Sequence, residues 1–147
     1  MSTTLSLCHF VFNTYCRRMT INPDNEEALY RFIWKFLSDK DCKLLRIGGI
    51  ENHIHILTDI NPNIAKARLA GELKRVTSLW MKQSGLFPDF EGWGKEYFGF
   101  SKSESDKPIV IEYIKSQKEH HKRISFEDEI KDMVSREGIS WKDNLLT

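Results

Sequence analysis

The sequence predicts an α+β fold of the ferredoxin-like, or RRM-like, type, an antiparallel sheet with two helices on one face. Segments rich in β-forming residues and segments with helical periodicity follow one another in the order strand, helix, strand, strand, helix, strand, which is typical of a βαββαβ sandwich. Further helical patterns follow this unit. A length of 147 residues suits one domain. We expect residues 1–104 to form the core of that domain and residues 105–147 its C-terminal helices.

The first half of the chain supplies one helix and three strands. Residues 5–15 are rich in β-formers and predict the first strand. Asn22-Pro23 provides a cap and a first-turn proline for a helix of about four turns. Its apolar positions recur at helical spacing: Ala28, Leu29, Phe32, Ile33, Phe36 and Leu37. Residues 42–50 predict the second strand, and the pair Gly48-Gly49 before Glu51-Asn52 marks a turn into a third strand that contains His53 and His55.

The second half continues with one helix, one strand and the added helices. After Asn61-Pro62-Asn63, four apolar side chains form the predicted buried stripe of the second helix: Leu69, Leu73, Val76 and Trp80. Aromatic residues in 93–102 predict the fourth strand. The stretch Ser105-Asp106-Lys107-Pro108 begins a helix that contains Tyr113. A capping box at Ser125-Phe126-Glu127-Asp128 begins the last helix, whose apolar face is Phe126, Ile130 and Met133.

Composition narrows the class of protein. Hydrophobic residues make up 40% of the chain and charged residues 29%, with no long apolar run. We therefore expect a cytoplasmic globular protein with no membrane span and no secretory signal. The net charge is only +1, so a surface that binds nucleic acid must be a local concentration of basic residues. Cys8, Cys16 and Cys42 lack paired metal-site spacing, which indicates free thiols.

Two separated motifs carry the chemistry. His53 and His55 alternate along a strand and so project to the same face, while Ile54 enters the core. Tyr113 and Gln117 lie one helical turn apart on one side of a helix. Two imidazole nitrogens and an amide oxygen can hold a divalent cation, Mg²⁺ or Mn²⁺, with positions left for phosphate and water. Tyr113 is then the candidate nucleophile.

These motifs resemble those of the single-tyrosine HUH transposases of small insertion sequences. The resemblance rests on Asn52-His53-Ile54-His55-Ile56-Leu57 and on Tyr113-Ile114 followed by Gln117 and Glu119-His120-His121. It also includes Phe12-Asn13-Thr14 and the stretch from Trp93 to Ser103. REP-associated tyrosine transposases, which act on repetitive extragenic palindromes, are close relatives of this family.

The resemblance implies a function. We expect metal-dependent cleavage and rejoining of single-stranded DNA at the ends of a mobile element, through a 5′-phosphotyrosine intermediate and with recognition of DNA hairpins. His53, His55 and Gln117 would be the metal ligands and Tyr113 the nucleophile. A homodimer is also implied, in which the tyrosine helix of one protomer reaches the histidines of the other.

Other residues are weaker candidates. Five basic residues are predicted phosphate contacts: Arg17, Arg18, Arg46, Lys74 and Arg75. Trp34 or Phe98 is predicted to stack on unpaired bases. His120 and His121 are predicted to support the site by orienting water or phosphate. They follow Tyr113 by about two helical turns, roughly 11 Å along a continuous helix, too far for direct proton transfer from the Tyr113 hydroxyl.

Simpler interpretations of the same residues stay open. Alone, a strand with two histidines more often places them in the core or at the surface than on a metal, and a helical tyrosine is more often a packing residue. Within the same chemistry, the chain is alternatively a domesticated REP-type transposase. From a different class, it is a non-catalytic ferredoxin-like module that binds nucleic acid.

Overall fold

A four-stranded antiparallel sheet forms the centre of the computed structural model, which describes residues 3–141. Its strands are β1 (Leu7–Asn13), β2 (Lys43–Ile50), β3 (His53–Asp59) and β4 (Phe98–Lys102). They lie in the order β2-β3-β1-β4, so β2 and β4 are the edges of the sheet. Helices α1 (Glu26–Asp39) and α2 (Lys66–Ser84) complete the predicted βαββαβ order. The α+β, ferredoxin-like class is therefore confirmed.

Three C-terminal helices cover the second face of the sheet. They are α3 (Lys107–Lys115), α4 (Gln117–His120) and α5 (Phe126–Arg136). Alternation along the strands separates two cores. Phe10 and Ile54 pack with α1 and α2 in one core. Val11 packs on the opposite side against Phe126 and Ile130 of α5. Because both faces are covered, side chains on the α3–α5 side of β3 are buried as well.

The helices begin close to where the sequence predicts. The Asn22 side chain accepts a hydrogen bond from the Asp24 backbone N–H at 3.1 Å, although Pro23–Asn25 forms a 3₁₀ turn before α1 starts. The Ser125 hydroxyl accepts from the Asp128 N–H at 3.2 Å and caps α5 as predicted. Each cap satisfies a backbone donor that has no partner within the helix.

The buried stripe of α2 differs from the predicted one. Leu69 and Leu73 are buried as expected, but the stripe continues through Thr77 and Met81. Val76 and Trp80 are only half-buried. Steps of four residues, which stay almost in line on a helix, define this face. Trp80 instead stacks beside the core on Phe32, with ring centroids 4.6 Å apart.

The pair Gly48-Gly49 does not form the predicted turn. Both glycines lie within β2, and the turn is made by Glu51-Asn52. Their small size serves close packing: a Cβ on Gly49 would lie 2.2 Å from the His53 carbonyl oxygen, and one on Gly48 would lie 2.9 Å from the carbonyl oxygen of Ile114 in α3. Gly48 thus sets how closely the Tyr113 helix approaches the sheet.

The fourth strand is shorter than predicted, because only Phe98–Lys102 pairs continuously with β1. Trp93 makes an isolated bridge with Thr14, and its indole N–H donates to the Thr77 hydroxyl at 2.9 Å. The segment before β4 is therefore held mainly by side-chain contacts and not by continuous pairing with a neighbouring strand. Among residues 3–141, none of the helices has the length and apolar character needed to cross a bilayer.

Candidate metal centre and nucleophile

The histidines of β3 point to the face covered by α3–α5. His53 and His55 are completely buried there, whereas Ile54 and Ile56 enter the core under α1 and α2. This is the alternation that the sequence predicts for a strand. Neither imidazole faces open solvent, so any ion that they bind would be enclosed by the C-terminal helices.

Tyr113 and Gln117 reach the same histidines, although their helix is interrupted. Ser116 separates α3 from α4, and Gln117 is the first residue of α4. The Gln117 Oε1 lies 3.0 Å from His53 Nε2. The Tyr113 ring lies edge-on to His55, with centroids 5.6 Å apart. The four predicted side chains therefore converge within one chain.

Glu129 of α5 lies at the centre of this group and is a site residue that the sequence prediction lacks. Its side chain is 1% exposed. The carboxylate accepts hydrogen bonds from the Tyr113 hydroxyl and, at 2.8 Å, from the Gln117 amide. The sequence did hold a signal, because position 129 falls on the apolar face defined by Phe126, Ile130 and Met133. An acidic residue on such a face requires buried partners.

His9 is a second residue that the prediction lacks. It lies on β1, two residues from Val11 and hence on the same face of the sheet. The Nε2 of His9 is 2.8 Å from Nδ1 of His55, and His9 is almost fully buried. An imidazole held through its second nitrogen keeps a fixed ring orientation, which is the usual arrangement behind metal-binding histidines.

His120 and His121 lie beside Tyr113 and Glu129. The rings of Tyr113 and His120 are 5.5 Å apart, and His121 Nε2 is 3.0 Å from Glu129 Oε1. The Tyr113 hydroxyl donates to Glu129, so the expectation that neither histidine takes its proton directly stays a prediction. His121 therefore contacts the carboxylate of the centre directly, and the ring of His120 lies beside that of Tyr113.

Burial and charge fix the protonation of the centre. Burial alone would raise the pKa of Glu129, but the close imidazoles of His121, His53 and His55 outweigh it and lower the pKa. Burial lowers the pKa of His53 to about 4. It also raises the pKa of Tyr113, and the negative charge of Glu129 raises it further. At neutral pH the centre thus combines an ionised carboxylate, a neutral His53 and a protonated phenol.

These groups fit a divalent ion. Ligand atoms of His53, His55 and Glu129 all lie within 4.8 Å of one another, and so do those of His120, His121 and Glu129. Neutral imidazole nitrogens and a carboxylate are the usual donors for such ions in proteins. The buried negative charge of Glu129 gives a further reason for a cation, since an isolated buried charge is costly.

The predicted phosphate contacts lie outside this centre. Arg17 pairs with Glu127 at 3.2 Å, and Arg18 pairs with Glu91. Arg75 is exposed on α2. Arg46 lines a cavity of about 240 Å³ that also borders Gln117.

Lys74 and the two aromatic candidates have more specific surroundings. The Lys74 ammonium donates to the carbonyl oxygens of Gly94, Lys95 and Glu96 at 2.7, 3.1 and 3.3 Å. This residue therefore holds the loop before β4. Phe98 is 6% exposed, so the prediction that it stacks on DNA bases is wrong. Trp34, at 57% exposed, remains accessible.

A second cavity borders the candidate nucleophile, Tyr113. It measures about 180 Å³ and is lined by Tyr113 together with His9, Lys102, Ile109, Val110, Met133 and Arg136. Lys102 pairs with Glu137 at 2.6 Å, and Arg136 pairs with Asp132 at 3.0 Å. Two cations thus flank the approach to the Tyr113 side chain.

The family is decided by a match to residues 2–117, which fit the family model described as "Transposase IS200 like". The chain belongs to the IS200-like transposase family. This match confirms the family resemblance found in the sequence. The chain is therefore a transposase by family, and the site described above is consistent with that class of enzyme. No curated protein matches the chain at a significant level.

Two solved structures share the fold of this transposase. One is a Deinococcus radiodurans R1 protein described as a transposase, with a TM-score of 0.62 and 16% identity over 80% of this chain and 95% of that one. The other is a REP-associated tyrosine transposase bound to a REP hairpin, with a TM-score of 0.60 and 15% identity over 84% of this chain and 74% of that one. At such low identity the likeness concerns the fold alone.

Proposed function

We propose that this transposase cleaves and rejoins single-stranded DNA at the ends of a mobile element, with Tyr113 as the nucleophile. The observation that carries the proposal is the convergence of Tyr113 and Gln117 on His53 and His55 around one buried carboxylate. In an isolated packing role, these polar side chains would have no reason to share one enclosed site.

The reaction follows from the residues present. The Tyr113 oxygen attacks the scissile phosphorus, the bond from phosphorus to the 3′ oxygen breaks, and a 5′-phosphotyrosine link forms. The phenolic proton ends on the released 3′ hydroxyl. Glu129 accepts the hydrogen bond of the Tyr113 hydroxyl and orients it, while the cavity beside Tyr113 admits the DNA strand. The reverse attack by a 3′ hydroxyl rejoins the strand.

His53, His55 and Gln117 are the proposed ligands of a divalent ion, Mg²⁺ or Mn²⁺. When bound, the ion would polarise the phosphate and stabilise charge on the leaving oxygen. Asn52 supports this role by holding His53 Nδ1 at 2.8 Å, which orients the Nε2 toward Gln117. The low pKa of His53 keeps that nitrogen unprotonated at neutral pH.

DNA hairpins are the proposed recognition element. The fold neighbour bound to a REP hairpin supports this choice, and a domesticated transposase of the REP type is the second candidate function. Lys102 and Arg136 beside the nucleophile, and Arg17, Arg18, Arg46 and Arg75 farther away, are the proposed phosphate contacts. The cytoplasm is the proposed location of the protein.

A homodimer is proposed from the edge of the sheet. Strand β2 has a neighbour on one side only. Beside it, Tyr30, Trp34, Leu44 and Ile47 line an apolar groove.

Residues 1–104 and 105–147 are proposed to act as one domain, because the site takes its histidines from the first part and its tyrosine from the second; residues 1–2 and 142–147 lie outside the described structure.

The test is a covalent adduct assay with a labelled single-stranded oligonucleotide that carries a hairpin, with and without Mn²⁺. Tyr113→Phe should abolish the adduct while binding, measured by fluorescence anisotropy, is retained. Tyr97→Phe is a matched control, because Tyr97 packs on Phe10 in the opposite core and should leave the adduct unchanged. An adduct that persists in Tyr113→Phe contradicts the proposed nucleophile.

The non-catalytic alternative predicts a different result. A module that only binds nucleic acid would bind the hairpin equally with and without divalent metal and would tolerate His53→Ala. Our proposal expects His53→Ala to eliminate the metal-dependent adduct. Loss of the adduct with unchanged hairpin binding would support a metal-dependent enzyme over that alternative.

A further inference from the structure

Three imidazoles surround one oxygen of Glu129. The Nε2 atoms of His53, His55 and His121 lie 3.2, 3.3 and 3.0 Å from Glu129 Oε1. All four side chains are at least 96% buried. Two of the histidines come from β3, but His121 and Glu129 come from the C-terminal segment. The group therefore extends beyond the four side chains proposed above.

The second ring nitrogen of His121 fixes its tautomer. Nδ1–H donates to the Ile124 carbonyl oxygen at 2.8 Å, and a carbonyl oxygen can only accept. A neutral His121 therefore presents a lone pair at Nε2, directed at Glu129 Oε1. His53 is similar, because its Nδ1–H donates to Asn52 Oδ1. Its Nε2 lone pair then faces both Gln117 Oε1 and Glu129 Oε1.

Lone pairs that face a carboxylate oxygen repel it unless something positive lies among them. One proton satisfies one such contact, whereas one divalent ion satisfies all of them together. The spacing agrees with an ion. Two donors bound about 2.1 Å from the same ion lie about 3.0 Å apart at a right angle and about 3.4 Å apart at the tetrahedral angle. The three distances to Glu129 Oε1 fall within this range.

We propose that Glu129 and His121 are two further ligands of the ion held by His53, His55 and Gln117. This inference rests on the proposed function and deepens it. The donor set becomes three imidazole nitrogens, one carboxylate oxygen and one amide oxygen. The other carboxylate oxygen, Oε2, accepts from the Gln117 amide and the Tyr113 hydroxyl, so Glu129 links the ion site to the nucleophile.

The donor set also selects the ion. Mg²⁺ takes oxygen ligands and retains several waters, whereas imidazole suits transition metals. Three imidazoles therefore favour Mn²⁺, Co²⁺ or Zn²⁺ over Mg²⁺. Of the two ions expected from the sequence, Mg²⁺ and Mn²⁺, this donor set therefore favours Mn²⁺.

The experiment measures Co²⁺ binding to the metal-free, full-length protein by calorimetry and by the visible absorption of bound Co²⁺. Wild-type protein should bind Co²⁺ at least about 100-fold more tightly than Mg²⁺. Glu129→Gln and His121→Ala should each weaken Co²⁺ binding by about 100-fold or more, beyond the 10–100-fold typical of outer-shell partners. Glu127→Gln is the matched control on the same helix, since Glu127 is only half-buried and pairs with Arg17 away from the site; it should bind as wild type.

Two outcomes separate this inference from the proposed function. If His53→Ala loses Co²⁺ binding but Glu129→Gln and His121→Ala bind as wild type, the added ligands are wrong and the metal centre stands. If His53→Ala also binds as wild type, both proposals fail. Equal losses in His120→Ala and His121→Ala would overturn the choice of His121, because His120 Nε2 lies 3.5 Å from the other oxygen, Oε2.

X-ray absorption of Co²⁺ bound to the wild-type protein provides a measurement that does not depend on the folding of variants. The proposal expects three imidazole neighbours around the ion. A count of two would assign the ion to His53 and His55 alone and would overturn the role of His121.

Discussion

Gly48→Ala tests how the sheet sets the position of the nucleophile. Gly48 lies in β2 directly beneath α3, and an added Cβ would lie 2.9 Å from the Ile114 carbonyl oxygen and 3.2 Å from Ile114 Cγ2. The first of these atoms belongs to the backbone of a helix, which cannot rotate away as a side chain can. The helix must therefore move outward by a few tenths of an ångström or the strand must bend.

The expected cost can be worked from this contact. Inserting one methyl group into a well-packed interface costs about 1–3 kcal/mol, a large part of a typical unfolding free energy of about 5–15 kcal/mol. Ile114 follows Tyr113 directly, so the same shift displaces the proposed nucleophile. Misplacement of a reacting group by about 1 Å can reduce a rate by about 10²-fold, and a smaller shift should still slow adduct formation measurably.

Urea unfolding followed by circular dichroism measures the stability, and the hairpin adduct assay measures the rate. Gly71→Ala is the matched control: Gly71 lies in α2, and no neighbouring atom would lie within 4 Å of its Cβ. That change should stabilise the protein by about 0.5–1 kcal/mol, because glycine is unfavourable within a helix. If Gly48→Ala is as stable as wild type and forms the adduct at the same rate, the close β2–α3 contact does not constrain the site.

Acid, Lys74 and Arg136 provide further tests. Burial lowers the pKa of the His53 imidazole from 6.5 to about 4 in the folded protein. As the pH falls, the imidazole is therefore protonated in the unfolded chain before it is protonated in the folded one. The metal-free protein should for this reason lose about 3 kcal/mol of its unfolding free energy between pH 7 and pH 4. His53→Ala should reduce this pH dependence in urea unfolding without abolishing it, because the lowered pKa values of His9 and Glu129 act in the same direction; an unchanged slope would contradict the role of His53. Lys74→Met should destabilise the fold by about 1–3 kcal/mol, because the Lys74 ammonium donates hydrogen bonds to three backbone carbonyl oxygens. The affinity for the hairpin should not change. Weaker hairpin binding without a loss of stability would instead support a contact between Lys74 and DNA. Arg136→Ala should lower the salt dependence of hairpin binding by about one phosphate contact, and an unaltered slope would remove Arg136 from the DNA path.

The elements of the fold were largely predictable from local patterns. The order of strands and helices, the caps at Asn22 and Ser125, and the shared face of His53 and His55 all appear in the structure. Each depends on residues within one or two turns of one another, where backbone geometry fixes which side chains share a face. The two glycines of β2 were misinterpreted because close packing against α3 is a long-range property.

The candidate site was only partly predictable. Tyr113, Gln117, His53 and His55 follow from motifs, and the structure brings them together. Glu129 could have been suspected from its position on an apolar face, but no local rule names its partners. His9 gives less warning still, because one histidine in a strand is compatible with many environments.

The sequence by itself determined the order of elements, the family and the two motifs, since these depend on neighbouring residues and on spacing. Only the tertiary structure decided that α5 covers the histidine face of the sheet and places the Glu129 carboxylate between His53, His55, His121 and Tyr113. The physical reason is that periodicity fixes the face on which a side chain lies, whereas the packing of distant helices on a sheet fixes which faces meet.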